Sequence, residues 1–159
     1  MKAATVKQLK QELSERTPNE LVELCLRLSK FKKENKELLS YLLYEASDEN
    51  SYIENIKREI DHEFTLINTN TYYYIKKSVR KILRRTKTYI KYSKKKETEV
   101  ELLIYYCKVL KAMTPSIFDN NVLHNIYLRQ LEIIKKVISS LHDDLQYDYE
   151  MELNSLMDD

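Results

Sequence analysis

The chain has no glycine and no tryptophan among its 159 residues, and only two prolines and two cysteines. The missing glycine excludes the most. Loops that cradle phosphates, in nucleoside triphosphatases or in Rossmann dinucleotide enzymes, need a close backbone approach that only a residue without Cβ permits. Neither class fits this chain. Cys25 and Cys107 sit on apolar helical stripes with no Cys-x-x-Cys or Cys/His cluster nearby, which reads as two free, buried thiols in a reducing compartment. No apolar run approaches the ~18 residues of a membrane span. The stretch Met1-Lys2-Ala3-Ala4-Thr5-Val6-Lys7 lacks the apolar core of a signal peptide. The expectation is a cytoplasmic protein. Abundant Lys, Asn, Ile and Tyr also follow from nucleotide bias, so the thirteen tyrosines alone argue for no function.

A second absence is local. From Phe64 to Lys96, 33 residues pass without one Asp or Glu, and eleven of them are Lys or Arg. Residues 1–63 carry a net charge of −2, residues 64–96 carry +11 and residues 97–159 carry −7. Such a partition points either to an external anion or to pairing within the chain. The block has helical order: Ile75, Val79, Ile82, Leu83, Thr86 and Ile90 recur at spacings of three and four. Lys76, Lys77, Arg80, Lys81, Arg84, Arg85, Lys87 and Lys91 occupy the opposite side, and Lys94, Lys95 and Lys96 form a solvated exit. Like charges four apart, such as Lys76 with Arg80, each cost a few tenths of a kcal/mol in an isolated helix, roughly. Something must offset that cost.

In order along the chain, a first helix from about Val6 to Ser14 places Val6, Leu9 and Leu13 on one side. Thr17-Pro18-Asn19-Glu20 is a start signal: Thr17 caps, Pro18 has its φ preset, and Glu20 reaches back to the cap N–H. The helix that follows, to about Lys32, is expected to bury Leu21, Leu24, Cys25 and Leu28. Either Asn35 caps a third helix carrying Leu38, Leu39, Leu42, Leu43 and Ala46, or Ser29 to Lys36 stays continuous. The residues Leu9-Lys10-Gln11-Glu12-Leu13, Thr17-Pro18-Asn19-Glu20-Leu21, Leu24, Leu28 and Glu34-Asn35-Lys36-Glu37-Leu38-Leu39 resemble an uncharacterised bacterial family of small all-helical proteins, a domain of unknown function. The resemblance covers roughly the first 45 residues and consists of helix punctuation. It implies an all-α fold and no activity, cofactor or site residue.

Asp48-Glu49-Asn50-Ser51 starts a helix with the stripe Ile53, Ile56, Ile60, Phe64 and Ile67, which Asn68-Thr69-Asn70-Thr71 ends by a left-handed residue. The basic helix follows, to about Tyr92. Thr98 and Glu101 have capping-box spacing for the next helix, to Met113. That helix is apolar over more than half its circumference and is expected to be central. Thr114-Pro115 stops it. Asp119 or Asn120 begins a long helix to about Leu141 with Val122, Ile126, Ile133, Ile134, Val137, Ile138 and Leu141 inward. A last one, about Asp144 to Met157, offers Leu145, Tyr149, Leu153 and Leu156 within a tail, Asp143 to Asp159, that holds seven acids and no cation. The predicted fold is all-α: a single domain, 1–159, of about seven or eight antiparallel helices in a bundle or irregular helical-hairpin array.

Three constellations carry candidate chemistry. Glu59-Ile60-Asp61-His62 has the E-x-x-H spacing of di-iron bundles, but those need a second copy and two further inward glutamates, so a surface pair is the reading. His142-Asp143 matches the adjacent pair of HD-type phosphohydrolases, which need further ligands; His142 reads instead as a cation at a helix C-terminus. No Ser/His/Asp or Cys/His set has a local signature, so no catalytic residue, metal or cofactor is expected. The basic helix remains. Its cations suit phosphates, with Arg80, Arg84 and Arg85 matched to bidentate contact, and Tyr72, Tyr73, Tyr74, Tyr89 and Tyr92 at its ends would stack on unpaired bases. A solvated face balanced by the acidic C-terminal helix is the plainer account. The expected function is that of a helical module binding another macromolecule, a protein in the first instance, through a helical face or groove. Nucleic-acid binding through residues 75–96 is the alternative.

Overall fold

Threonine, aspartate and asparagine side chains cap the starts of four helices, and the computed structural model describes residues 1–158. Among the described residues eight α-helices follow one another: α1 (Val6–Ser14), α2 (Pro18–Phe31), α3 (Lys33–Ser40), α4 (Glu49–Thr65), α5 (Tyr72–Ser93), α6 (Lys96–Ala112), α7 (Asn121–Ile138) and α8 (Asp143–Asp158). A π-helical turn, Tyr41–Glu45, and a 3-10 turn, Ile117–Asp119, complete the elements, and no described residue is in a strand. No described helix is long and apolar enough to cross a membrane. The chain divides into two compact units, Met1–Tyr44 and Glu45–Asp159.

In the first unit Thr5 and Thr17 each accept from the backbone N–H three residues on, and the side chains of Gln8 and Glu20 accept from the threonine N–H groups in return. The Thr17 N–H beside it holds the Glu20 carboxyl below its ordinary range. Lys32 turns extended, at φ −143° and ψ 151°, so α2 and α3 are separate helices. Asn35 does not cap α3; its amide donates to the Leu28 carbonyl at 2.9 Å and closes the end of α2 instead. Among the described residues of this unit only Ser29 and Tyr41 are buried. The burial expected of α2 does not occur: Leu21 is half-buried, and Leu24, Cys25 and Leu28 are exposed. α2 and α3 pack on each other, but 44 residues enclose too little volume to cover an apolar stripe on every helix.

The second unit is built round α6, which packs against α4, α5, α7 and α8. Val100, Leu102, Leu103, Ile104, Tyr106, Cys107 and Leu110 are all essentially inaccessible, and fully burying such side chains stabilises the unit by about 1.5–3 kcal/mol each. Asp48 caps α4, accepting from the Ser51 N–H and hydroxyl at 3.1 and 2.6 Å. Asn120 caps α7 through the Val122 and Leu123 N–H groups. On α7, Ile126, Ile134 and Ile138 are buried as expected, while Val122, Ile133 and Val137 are half-buried; Leu123, Tyr127, Gln130 and Leu131 also turn inward, because α6 and α8 both pack on this helix.

Three boundary readings change. Thr98 does not cap α6, which starts at Lys96; Thr98 is buried and its hydroxyl donates to Glu49 at 2.6 Å. The left-handed residue is Lys94 at the end of α5, at φ 59°, and not an asparagine after α4. His142 stands before α8, where its Nδ1 accepts from the Asp144 N–H at 3.4 Å, so it serves a helix start rather than a helix end.

Candidate functional site

Helix α5 is held in one rotational setting. Ile75, Val79, Ile82 and Ile90 are buried. Two buried hydroxyls grip its backbone: Tyr52 of α4 donates to the Tyr89 carbonyl and Tyr106 of α6 to the Val79 carbonyl, each at 3.0 Å. The Tyr72 hydroxyl donates to Ser116 O at 3.1 Å and ties down the start of the helix. With the apolar arc fixed inward, the cations must divide over what remains.

They divide unequally. Lys81 and Arg85, on the edge facing α4, lie 3.8 Å from Glu63 and 3.7 Å from Glu59. The Arg85 guanidinium also sits 4.4 Å from the Tyr89 ring centroid, and the Tyr89 hydroxyl donates to Glu59 at 2.5 Å. Lys95, past the end of α5, lies 3.2 Å from Glu49. Lys87 is half-buried near Glu99, and desolvation pulls its ammonium below the ordinary lysine value. The other seven, Lys76, Lys77, Arg80, Arg84, Lys91, Lys94 and Lys96, have no carboxylate within ion-pair distance among the described residues. At ~100° per residue, Lys76, Arg80, Lys91, Arg84 and Lys77 fall within one arc of about 100°.

The acidic helix α8 does not cover that arc. It packs on α6 and α7, its Glu152 pairs with Lys108 of α6 at 2.7 Å, and the Tyr149 hydroxyl donates to Glu101 of α6 at 3.1 Å. Burial beside these carboxylates pushes the Tyr149 phenol up. Internal neutralisation of α5 comes from α4 at one edge and from Glu99 of α6 beside Lys87. The tyrosines divide too: Tyr89 and Tyr92 are buried, Tyr72 is half-buried, and Tyr73 and Tyr74 are exposed with their rings edge to face. Of the five tyrosines expected to stack on bases, only Tyr73 and Tyr74, at the N-terminal end, are exposed.

The other constellations gather no site. Glu59 is engaged with Arg85 and Tyr89, His62 is exposed, and no group of three or more His, Cys, Asp or Glu among the described residues is arranged to hold a metal ion. Cys107 is buried, which pushes its thiol up to about 12. Cys25 is exposed, against expectation.

The feature the sequence did not announce is in the first unit. Of the twenty large hydrophobic side chains exposed among the described residues, twelve lie in residues 1–44, including Leu9, Leu13, Leu24, Leu28, Phe31, Leu42 and Leu43. Between α2 and α3 runs an open groove of about 340 Å³ lined by Cys25, Leu28, Ser29, Asn35, Leu38, Leu39 and Leu42. Residue composition and helical spacing look the same here as in a buried stripe, so only the count of packing partners distinguishes them. No family model, curated protein or solved structure matches this chain.

Proposed function

We propose that this protein is a non-catalytic helical interaction module that binds another protein through the apolar side chains of its first unit. One observation carries the reading: Met1–Tyr44 forms helices, two of them started by capping boxes, yet leaves seven of its ten leucines open to water. Contiguous exposed apolar surface of this kind marks interaction sites on soluble domains. The α2–α3 groove suits the apolar face of an amphipathic helix, which would place residues at i, i+3, i+4 and i+7 against Leu28, Leu38, Leu39 and Leu42. Ser29 and Asn35 supply the polar groups of its lining. An unpaired, exposed Cys25 fits a reducing compartment such as the cytoplasm.

The test is affinity capture from source cells with three baits: the wild-type chain, L24D/L28D/L42D, and R80E/R84E. These substitutions fall on exposed positions, so circular dichroism should match the wild type. Each leucine buried at an interface is worth roughly 1.5–3 kcal/mol, about a tenfold or greater change in affinity. A stoichiometric partner held by the wild type and R80E/R84E but lost from the triple leucine variant supports the reading. Retention of every captured protein by the leucine variant overturns it, as does concentration-dependent self-association that accounts for all the binding of those leucines.

A further inference from the structure

The second unit presents a surface of different chemistry. We propose that the outward face of α5 binds the phosphate backbone of nucleic acid without reading base sequence. The five cations of its arc, Lys76, Lys77, Arg80, Arg84 and Lys91, stand on a helix whose rotation is fixed by buried isoleucines and by the Tyr52 and Tyr106 hydroxyls. None of the five has a carboxylate partner among the described residues, and α8 packs on α6 and α7, with its Glu152 paired to Lys108 of α6. The pairs Lys76 with Arg80 and Arg80 with Arg84 repel one another along the helix, and phosphates would relieve that repulsion.

Dimensions favour a phosphate row. From Lys76 to Lys91 the helix rises about 22 Å. Five cations over that length leave four intervals of ~5–6 Å on average, against ~3.4 Å between phosphates along the axis of one duplex strand, so the row would span several phosphates without meeting every one. Arg80 and Arg84 supply forked donors that match phosphate oxygens, and Lys94 extends the row past the helix end. A lipid surface fits less well. Adsorption would need an apolar face on α5, and Ile75, Val79, Ile82 and Ile90 are already in the core. An acidic protein surface fits less well too. Such interfaces are built on an apolar centre ringed by charge, and the one ring in this arc, exposed Tyr73, stands at its N-terminal end.

Fluorescence anisotropy with a labelled mixed-sequence duplex of about 20 base pairs tests the proposal, with the single strand as a second arm. With about five phosphates neutralised, the log–log salt slope on duplex is about −4 to −5, a loss of several hundredfold between 50 and 200 mM salt. K77E/R80E/R84E should abolish binding. K77Q/R80Q/R84Q removes the same charges while easing repulsion, so it should fold at least as well and flatten the slope by about 2.7. R129E/K135E/K136E, which reverses exposed cations on α7, should bind like the wild type. The proposal is overturned by no binding at 50 mM salt, by a slope shallower than about −2, by equal loss in the α7 variant, or by tighter binding to phosphatidylserine vesicles or poly-glutamate than to DNA at the same salt.

Discussion

Glu49 is the most informative single residue to remove. It lies in the first turn of α4, and its side chain, 14% exposed, accepts from the hydroxyls of Ser93 and of buried Thr98 while pairing with Lys95 at 3.2 Å. One carboxylate thus ties the start of α4 to the end of α5 and the start of α6. Hydrogen bonds to a charged group are worth about 1.5–3 kcal/mol each, and an orphaned buried hydroxyl costs about 1–3 kcal/mol. Against these stands the desolvation of the carboxylate, which its removal recovers. The Lys95 pair, with a half-exposed ammonium, adds less than about 1 kcal/mol. Glu49→Ala should therefore destabilise by roughly 2–4 kcal/mol and lower Tm by roughly 4–16 °C. Glu49→Gln, which keeps an acceptor, should cost about half as much. Urea melts of E49A, T98V and the double variant measure the coupling directly, and it should exceed ~0.5 kcal/mol. A shift in midpoint for E49A equivalent to less than about 0.5 kcal/mol, at unchanged m, would refute the assignment of Glu49 as the junction of the three helices.

Three further outcomes test the description of the two units. Leu103→Ala, at a fully buried site, should cost about 2–5 kcal/mol, whereas Leu24→Ala on exposed α2 should stay within about 0.5 kcal/mol; equal costs in denaturant melts would contradict the contrast in burial. A thiol reagent at pH 8 should modify Cys25 alone in the native protein and both cysteines in 6 M guanidinium, since Cys107 is buried and its thiol is pushed up to about 12. Rapid native modification of two thiols would be incompatible with that core. The Ser51 hydroxyl and N–H hold the Asp48 carboxyl below its usual value of 3.8. A depressed folded value means that the cap's stabilisation is present above about pH 4 and lost as pH falls through the folded value. Asp48→Asn should keep the cap and remove that part of the acid dependence, while Asp48→Ala should lower stability at neutral pH; a D48N acid transition superimposable on the wild type would count against it.

Periodicity and punctuation were enough to place most of the helices, though not every boundary. Spacings of three and four set α4 to α8, Thr17-Pro18 and Asp48 started helices where caps were expected, and the apolar circumference of α6 marked it as the central helix, because all of these are local or one-dimensional properties of the chain. The same local signal misled wherever it matched a rule without its surroundings. Thr98 has the spacing of a cap but is drawn to Glu49, 49 residues away, and Leu24, Cys25 and Leu28 form a stripe that nothing in their own unit covers. The cations of α5 were legible as a row, and their inequality was not. Which of them meets a carboxylate depends on α4 lying along one edge of α5 while α8 goes to α6 and α7, and that choice is made by the packing of helices far apart in sequence.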